Sequence, residues 1–345
     1  MADISIAIDV MGGDHAPDSI VEGSKLALDE LEIHLVLVGP EDLLTEHFQD
    51  CQPKKGTFEL LHASEYIEMD ENPIRALRQK RNSSLSVAAG AVHDGQARAL
   101  VSAGNTGAVM AGNKMKLGVQ ENVDRPAIAT QLPTKQGDYS ILIDSGANVD
   151  CSAVQLLQFA VMGAVYAERV QGKDEPSIGL LNLGMEAMKG NELVKEAFEL
   201  FQDQPINFHG NVEGRDVLSG TTDVIVCDGF VGNIALKLSE GVAETIFRFL
   251  KEKIEGSIRG KIGGMLLKPI FKDLLETIDP AEYGGAPLLG LNGGCIISHG
   301  SSSPKAIKNA IRAARLFVQN DCNTKIGERM KTLNIPEDSS WNNNL

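Results

Sequence analysis

The stretch Leu100-Val101-Ser102-Ala103-Gly104-Asn105-Thr106-Gly107-Ala108-Val109-Met110 predicts a buried strand that ends in a turn and leads into a helix. The apolar run 97–101 suits a buried strand, and residues 106–117 suit a helix. Gly104 and Gly107 allow a tight turn and a close backbone approach to a ligand. Three side chains could add hydrogen-bond donors there: Ser102, Asn105 and Thr106. The stretch is therefore either an anion site or an ordinary turn with an asparagine cap.

The same alternation of strand and helix recurs along the chain. It predicts an α/β fold, a doubly wound and mostly parallel sheet with helices on both faces. The predicted strands are 4–9, 34–39, 58–62, 97–101, 127–132, 139–144, 177–183, 223–228, 286–290 and 295–298. The predicted helices are 18–30, 106–117, 153–170, 191–202, one that runs from the glycine-rich turn 228–233 to about 255, and 304–320.

Polar residues stand at the carboxyl ends of several predicted strands, each close to a glycine. They are Asp9, Ser102, Asp144, Asn182, Asp228 and His299. Ligands of open α/β sheets bind outside the carboxyl ends of the strands. The sequence therefore predicts one shared cleft.

The composition of the chain argues against several classes of protein. The chain has 345 residues and a formal net charge of −15, which argues against nucleic-acid binding. Five scattered cysteines without a C-x-x-C pair are typical of reduced thiols in a cytoplasmic protein and argue against a zinc cluster. The N-terminus is predicted to be a strand and not a signal peptide, and no apolar run reaches membrane-spanning length.

Several catalytic motifs are absent from the sequence. The chain has no G-x-G, no P-loop, no H-E-x-x-H and no G-x-S-x-G nucleophile elbow. Neither a cofactor nor a metal is predicted. The remaining polar groups suit a site that binds an oxyanion and lets it, or water, attack.

Acidic residues flank glycine turns at two predicted strand ends. Asp9 and Asp14 enclose Gly12-Gly13, and Asp144 precedes a turn over 145–148. These carboxylates could orient a substrate, a base or a metal. The alternative, which the residues alone favour, is that they form Asx turns and helix caps.

Two cationic side chains are candidates for the chemistry. Lys189 lies three residues after Glu186 at a strand-to-helix junction, where it could meet a phosphate or form a surface ion pair. His299 follows a buried strand and could be a general acid, a base or an oxyanion donor. A histidine that is hydrogen-bonded within its turn is the alternative.

Residues 251–275 hold six basic and three acidic side chains in an otherwise acidic protein. Bulky apolar residues broken by glycine and proline predict a surface hairpin at about 256–276 that contacts a membrane, a partner or a dimer mate. Its contact residues are Met265, Leu266, Leu267, Ile270 and Phe271. We predict one α/β domain over 1–325 that includes this hairpin, and a disordered tail over 326–345.

Taken together, the motifs resemble the bacterial phosphate acyltransferases, the acyl-acyl-carrier-protein:phosphate acyltransferases of phospholipid synthesis. The resemblance rests on the order and spacing of Ile8-Asp9-Val10-Met11-Gly12-Gly13-Asp14, Ser102-Ala103-Gly104-Asn105-Thr106-Gly107-Ala108, Arg125-Pro126, Asp144 with Gly146-Ala147-Asn148, Leu181-Asn182, Lys189-Gly190, Asp228-Gly229-Phe230 with Gly232-Asn233, Tyr283-Gly284-Gly285-Ala286 and Ser298-His299-Gly300.

The resemblance implies a fold similar to isocitrate/isopropylmalate dehydrogenase and phosphotransacetylase, working as a homodimer. It implies transfer of a long-chain acyl group from acyl carrier protein to inorganic phosphate. The acyl phosphate would feed a membrane-bound glycerol-3-phosphate acyltransferase, and the protein would associate peripherally with the membrane. An acidic carrier protein would be attracted by the basic segment 251–272 or by the cluster 75–81.

The candidate residues are assigned to two tasks, phosphate or substrate binding and catalysis. Phosphate would lie against Gly104–Gly107, with Lys189 supplying charge. The catalytic candidates are Lys189, His299, Asn182, Asn148 and Asp228. The candidates for phosphate or substrate binding are Asp9, Gly12, Gly13, Asp14, Ser102, Gly104, Asn105, Thr106, Gly107, Asp144, Glu186 and Asn233.

One departure from the family pattern concerns the stretch after Gly184. The family usually carries two or three acids there, whereas this chain keeps only Glu186, between Met185 and Ala187. Two rival functions stay open at this point. One is a metal- and NAD-dependent decarboxylating dehydrogenase of similar fold, and the other is a non-catalytic acyl-lipid binding protein.

Overall fold

One sheet of eleven strands organises the part of the chain that the computed structural model describes, residues 4–278, 282 and 284–335. The strands are β1 Ser5–Asp9, β2 His34–Gly39, β3 Thr57–His62, β4 Ala99–Ser102, β5 Ala127–Pro133, β6 Tyr139–Ile143, β7 Ile178–Asn182, β8 Phe208–Glu213, β9 Val224–Val226, β10 Ala286–Leu289 and β11 Gly294–Ile297. Their spatial order is β3-β2-β1-β4-β11-β10-β5-β6-β9-β7-β8.

Helices connect the strands and pack against the sheet. They are α1 Asp18–Glu30, α2 Glu41–Phe48, α3 Pro73–Gln79, α4 Ser84–His93, α5 Thr106–Leu117, α6 Ala153–Tyr166, α7 Glu192–Gln202, α8 Gly229–Glu255, α9 Ile258–Ile278, α10 Pro304–Gln319 and α11 Cys322–Met330. Helix α6 is buried along almost its whole length because it crosses the second half of the sheet. The predicted α/β fold with a mostly parallel sheet is confirmed.

The direction of the strands changes at the centre of the sheet. Strands β3, β2, β1, β4 and β11 are mutually parallel, as are β6, β9, β7 and β8. Between the two blocks, the pairs β11–β10, β10–β5 and β5–β6 are antiparallel. Three reversals make the second block run opposite to the first. The carboxyl ends of the two blocks therefore lie at opposite edges of the sheet.

The predicted surface hairpin at 256–276 is wrong in its structure, because the segment is helical. Helix α9 packs against α8 and contains Pro269. A Cβ at Gly264 would lie 2.6 Å from Cγ2 of Ile254, so this glycine lets the two helices approach closely. Gly260 lies one turn earlier and faces the carbonyl of Ile254. The glycines that suggested an interrupted segment therefore serve helix packing.

The apolar residues of this helix pair are largely exposed. Met265 and Leu266 are 75% and 76% exposed, and Leu267 and Ile270 also face outward, whereas Phe271 is half-buried. No helix among the described residues is both long and apolar enough to cross a bilayer.

The predicted disordered tail begins too early. Helix α11 extends to Met330, and Ile326 is fully buried against the core around α6. The motif residue Tyr283, residues 279–281 and the last residues 336–345 lie outside the described part of the chain.

Candidate functional site

Three strand ends of the first block meet in what we call the first cluster, the loops 9–16, 102–107 and 298–303. Ser102 Oγ donates to Asp9 Oδ2 at 2.7 Å and accepts the Gly104 N–H at 3.1 Å, which ties β1 to β4. The Asp14 N–H donates to the Gly300 carbonyl at 2.8 Å, which ties β1 to the loop after β11. The cluster therefore assembles residues nearly 300 positions apart in the sequence.

A glycine is required at position 12 of the first cluster. A Cβ there would lie 2.6 Å from Asp9 Oδ2 and 2.8 Å from the backbone nitrogen of Gly104. Gly13 has φ +120°, a conformation that side chains disfavour. The backbones of the two loops can therefore lie against each other, as a site that surrounds a small anion with N–H groups requires.

The start of α5 supplies donors, but not all the predicted ones. Asn105 Oδ1 accepts the Ala108 N–H at 3.0 Å, and its Nδ2 donates to the Met69 carbonyl at 2.7 Å. Asn105 is thus a helix cap that holds the neighbouring loop, and its prediction as a free donor is wrong in this structure. The N–H groups of Thr106 and Gly107 have no partner within the helix, because they lie in its first turn.

Asp9 is buried at the floor of the first cluster. Burial raises the pKa of Asp9, while hydrogen bonds from the hydroxyls of Ser84 and Ser102 oppose the rise. The hydrogen bond from Ser102 to Asp9 also holds the end of β4 against the end of β1.

His299 is exposed at the rim of the first cluster. Its Nδ1 accepts the Ser301 N–H at 3.2 Å and lies 2.8 Å from the Ser301 hydroxyl. A ring nitrogen that accepts a backbone N–H carries no proton, so the proton of the neutral ring is on Nε2. His299 thus presents an N–H donor outward, and its hydrogen bonds within the turn orient that donor.

The second cluster lies at the opposite edge and comprises 144–148, after β6, and 228–233, after β9. Its centre is the carboxylate of Asp144, which is fully buried. Burial raises the pKa of Asp144, and hydrogen bonds from the loop oppose that rise. The donors are the backbone N–H groups of Ile128, Gly146, Ala147 and Asn148 and the Asn148 side-chain amide, at 2.7–3.1 Å.

The amide of Asn148 is committed within the second cluster. Its Nδ2 donates to the Pro126 carbonyl and to Asp144 Oδ2, both at 2.9 Å. Both amide hydrogens are therefore used, so the catalytic candidate Asn148 has none left to donate to a substrate in this structure. Asn148 instead fixes the loop that surrounds Asp144.

Helix α8 begins directly on the second cluster. Asp228 caps it by accepting the Val231 N–H at 2.9 Å. A Cβ at Gly229 would lie 2.8 Å from Asp144 Oδ2, and one at Gly232 would overlap the Asp144 carbonyl oxygen. Asn233, the residue after Gly232, is exposed and its side chain lies beside Gly146.

We call 183–190, after β7, the Lys189 loop; it lies at the same edge as the second cluster. Asn182 Nδ2 donates to the Lys189 carbonyl at 3.0 Å, and Asn211 Nδ2 donates to the Glu186 carbonyl at 3.1 Å. Lys189 and Glu186 are both exposed, and within the described residues no ion pair joins them. Lys189 is therefore held in place by its backbone while its ammonium group stays available.

The structure divides the predicted site residues between two edges. The first cluster holds Asp9, Gly12, Gly13, Asp14, Ser102, Gly104, Asn105, Thr106, Gly107 and His299. The second edge holds Asp144, Asn148, Asn182, Glu186, Lys189, Asp228 and Asn233. The prediction of one shared cleft is therefore wrong within a single chain.

Sequence reasoning missed residues that support the site from other elements. The Ser84 hydroxyl hydrogen-bonds to Asp9, and the Met69 carbonyl accepts from Asn105. Asn211 donates to the backbone of the Lys189 loop. The serine pair at 83–84 opens α4, and this cap was a signal in the sequence. No local pattern marks Met69 or Asn211, because their role depends on which loops meet.

The described part of the chain shows neither a reactive thiol nor a group of metal ligands. Burial raises the pKa of all five cysteines, to about 12 for Cys151, Cys295 and Cys322. Thiols of this kind stay protonated and unreactive at neutral pH. Among the described residues, no three His, Cys, Asp or Glu side chains come together in a way that could hold a metal ion.

Comparisons with known proteins agree on a class. Residues 4–325 match the family model described as fatty acid synthesis protein. The phosphate acyltransferase of Pelotomaculum thermopropionicum is 50% identical over 317 residues, 92% of each chain. That of Heliobacterium modesticaldum is 47% identical over 326 residues, 94% of this chain and 97% of its own.

A solved structure shares the fold at low identity. A phosphotransacetylase from Streptococcus pyogenes superposes with a TM-score of 0.63 at 16% identity, covering 92% of this chain and 94% of its own. This likeness confirms the predicted phosphotransacetylase-like architecture.

Proposed function

The chain belongs to the fatty acid synthesis protein family, and from this premise we propose that it moves a long-chain fatty acyl group from acyl carrier protein to inorganic phosphate. Transfer of an acyl group to phosphate is the activity of its close relatives, which are named phosphate acyltransferases. Because these relatives are named phosphate acyltransferases, they do not support the two rival functions, a dehydrogenase and a non-catalytic binding protein. The acyl phosphate would serve phosphatidic acid synthesis through a membrane-bound glycerol-3-phosphate acyltransferase.

The first cluster is the observation that carries this proposal. The backbone of Gly12 lies against that of Gly104 beside the free N–H groups at the start of α5. Helix starts of this kind attract anions through their N–H groups and the helix dipole. Phosphate is itself a nucleophile, so the unreactive thiols of this chain are no obstacle.

The chemistry assigns a task to each available group. A phosphate oxygen attacks the thioester carbonyl carbon, and the carbonyl becomes a tetrahedral oxyanion. The C–S bond then breaks, leaving acyl phosphate and a thiolate that takes up a proton. His299 Nε2–H and the Asn182 amide can donate to the oxyanion or the thiolate, and Lys189 offsets the phosphate charge. Asp144 and Asp228 act by orienting the loops around them.

An incubation of purified protein with palmitoyl-acyl carrier protein and phosphate tests the reaction directly. Hydroxylamine in the mixture traps acyl phosphate as hydroxamate. We expect phosphate-dependent hydroxamate together with an equal amount of released carrier thiol. Release of thiol without phosphate dependence would indicate hydrolysis instead. Absence of thiol release would remove the proposed donor.

We further propose that the enzyme is a homodimer in which the two edges meet across copies. Lys189 and His299 lie at opposite edges of one sheet, so a second chain is a way to bring them together. Helix α8 carries exposed apolar residues at intervals of three or four, starting beside the second cluster. They are Phe230, Ile234, Leu238, Val242, Ile246 and Phe249.

Subunit complementation distinguishes a shared site from a site within one chain. At phosphate concentrations below the wild-type KM, we expect Lys189→Ala and His299→Ala each to be much less active than wild type when alone. Co-folding equal amounts should restore roughly a quarter of wild-type activity, because random pairing makes half the dimers mixed, each with one intact site. No recovery above the separate variants would contradict a shared site.

We also propose that α9 places the cytoplasmic enzyme on the membrane surface. Met265 and Leu266 are exposed on a helix that also carries Lys261 and Lys268. An apolar face with basic flanks suits an anionic bilayer interface.

Leu266→Glu should reduce binding to anionic liposomes at least tenfold while leaving activity on a soluble donor unchanged. The reason is that burying a carboxylate among lipid chains is costly. Liposome co-sedimentation measures the effect, with Lys195→Ala at an exposed position on α7 as a control that changes the formal charge by the same single unit. Equal binding of the two variants would contradict the assignment.

A further inference from the structure

Three arginines beside the first cluster have no side-chain partner among the residues that the structure describes. Arg75 and Arg78 lie on α3, and Arg81 follows its end. All three are exposed, and among the described residues none forms an ion pair or a side-chain hydrogen bond. We call them the α3 arginines. Their neighbour Lys80 differs, because it pairs with Glu71 at 2.7 Å.

The surroundings make this patch unusual. Residues 73–82 contain four basic side chains and no acidic one, in a chain of formal charge −15. Elsewhere on this surface an arginine pairs with a carboxylate, as Arg329 does with Glu168 at 2.9 Å. Ile74 is 47% exposed among the arginines. Arginine next to exposed apolar area is typical of protein-binding surfaces.

The patch is physically joined to the proposed phosphate site. Asn105 Nδ2 donates to the Met69 carbonyl at 2.7 Å, just before α3. A Cβ at Gly107 would lie 2.8 Å from Cγ of Pro73, the first residue of α3. Helix α3 thus packs on the start of α5, and a molecule docked on the arginines would stand beside the first cluster.

The basic segment 251–272 is a weaker candidate for the same task. It interleaves lysines with Glu252 and Glu255. Lys251 lies 18 residues along α8 from Asn233, roughly 27 Å at the helical rise of 1.5 Å per residue. Lys251 is therefore remote from the second cluster, and the first cluster lies at the other edge of the sheet.

We propose that the α3 arginines are the docking surface for an acidic carrier protein that presents the acyl thioester. The inference rests on the proposed function, since it needs a protein-borne donor. Two acidic proteins repel each other over a Debye length of about 8–10 Å, so productive contact requires a local positive patch. The α3 arginines provide that patch next to the site where the thioester is consumed.

The test compares a protein-borne donor with a small one. The variant Arg75→Glu/Arg78→Glu/Arg81→Glu should raise the KM for palmitoyl-acyl carrier protein at least tenfold at low salt. Its kcat, its phosphate KM and its rate with palmitoyl-pantetheine should stay unchanged. The control Lys116→Glu/Lys135→Glu/Lys195→Glu makes the same charge change at exposed, scattered lysines and should leave the carrier KM within twofold.

Three outcomes would overturn the inference. An unchanged carrier KM in the α3 variant removes the docking role. A parallel loss with palmitoyl-pantetheine places the arginines in the reaction site. Lost liposome binding with an intact carrier KM assigns them to the membrane. The milder Arg78→Gln/Arg81→Gln variant, with a smaller rise in carrier KM expected, covers the case of a misfolded triple variant.

Failure of the proposed function gives a different result. Wild-type enzyme would then release no thiol from either donor in a phosphate-dependent way. A second result would remove the docking surface alone. The enzyme would be active on palmitoyl-pantetheine, but its reaction with the carrier protein would respond neither to salt nor to the α3 variant. The phosphate chemistry would then still stand.

Discussion

Replacing Lys189 with alanine is expected to raise the KM for phosphate roughly 10- to 150-fold, because a hydrogen bond to a charged group contributes about 1.5–3 kcal/mol. The ammonium group is exposed and unpaired among the described residues, so no internal partner competes for it. The backbone of its loop stays fixed by Asn182 and Asn211, which the substitution does not touch. Initial rates against phosphate concentration measure the effect.

Two further variants show whether the loss is due to charge at this position. Lys189→Arg keeps the charge and should recover part of the phosphate affinity, with a different geometry. Lys195→Ala removes an exposed lysine on α7 outside the loop and should leave the phosphate KM unchanged. If Lys189→Ala also leaves that KM unchanged, Lys189 does not bind phosphate.

Gly232→Ala is expected to destabilise the protein by about 3 kcal/mol, the upper range for overpacking. The added Cβ would overlap the Asp144 carbonyl oxygen and lie 3.0 Å from Cys227 Sγ. A backbone atom cannot move aside as a flexible side chain can, so α8 must shift away from the second cluster. Urea unfolding measures the change, and activity should fall with it.

Gly241→Ala is the matched control on the same helix. No atom of the described residues lies within 4 Å of a Cβ at Gly241, and the residue is exposed in the interior of α8. The substitution should therefore stabilise the protein by about 0.5–1 kcal/mol, the difference in helix propensity. Equal unfolding free energies for the two variants would show that α8 does not begin against Asp144 as described.

The sequence predicts the elements of the sheet better than their directions. Alternating apolar runs identify ten of the eleven strands, and the polar turn at 134–138 indicates the β5–β6 hairpin. The direction of a strand depends on which neighbours it pairs with, and pairing is set by tertiary packing. β10 lies between β11 and β5, a placement that no local pattern reveals. The single-cleft prediction was wrong for this reason.

Glycine and polar residues also have more than one use. In α9 the glycines suggest a break, yet they allow contact with Ile254. Strand β8 was missed because His209, Gly210 and Asn211 interrupt its apolar pattern. The candidate site shows the same ambiguity. Asn105 and Asn148 were correctly placed beside glycine turns, but their hydrogen bonds go to neighbouring loops that the sequence does not identify.

The pairing of β4 with β11 has a consequence for synthesis of the chain. β4 ends at Ser102, whereas β11 starts at Gly294. The edge of β4 that pairs with β11 therefore stays unpaired while the ribosome synthesises the residues between them. At 5–20 residues per second, that interval is roughly 10–40 s. Unpaired edges invite association with other chains, so nascent molecules are expected to need protection by chaperones during this time. The first cluster, which requires His299 and Gly300, can form only when translation is nearly finished.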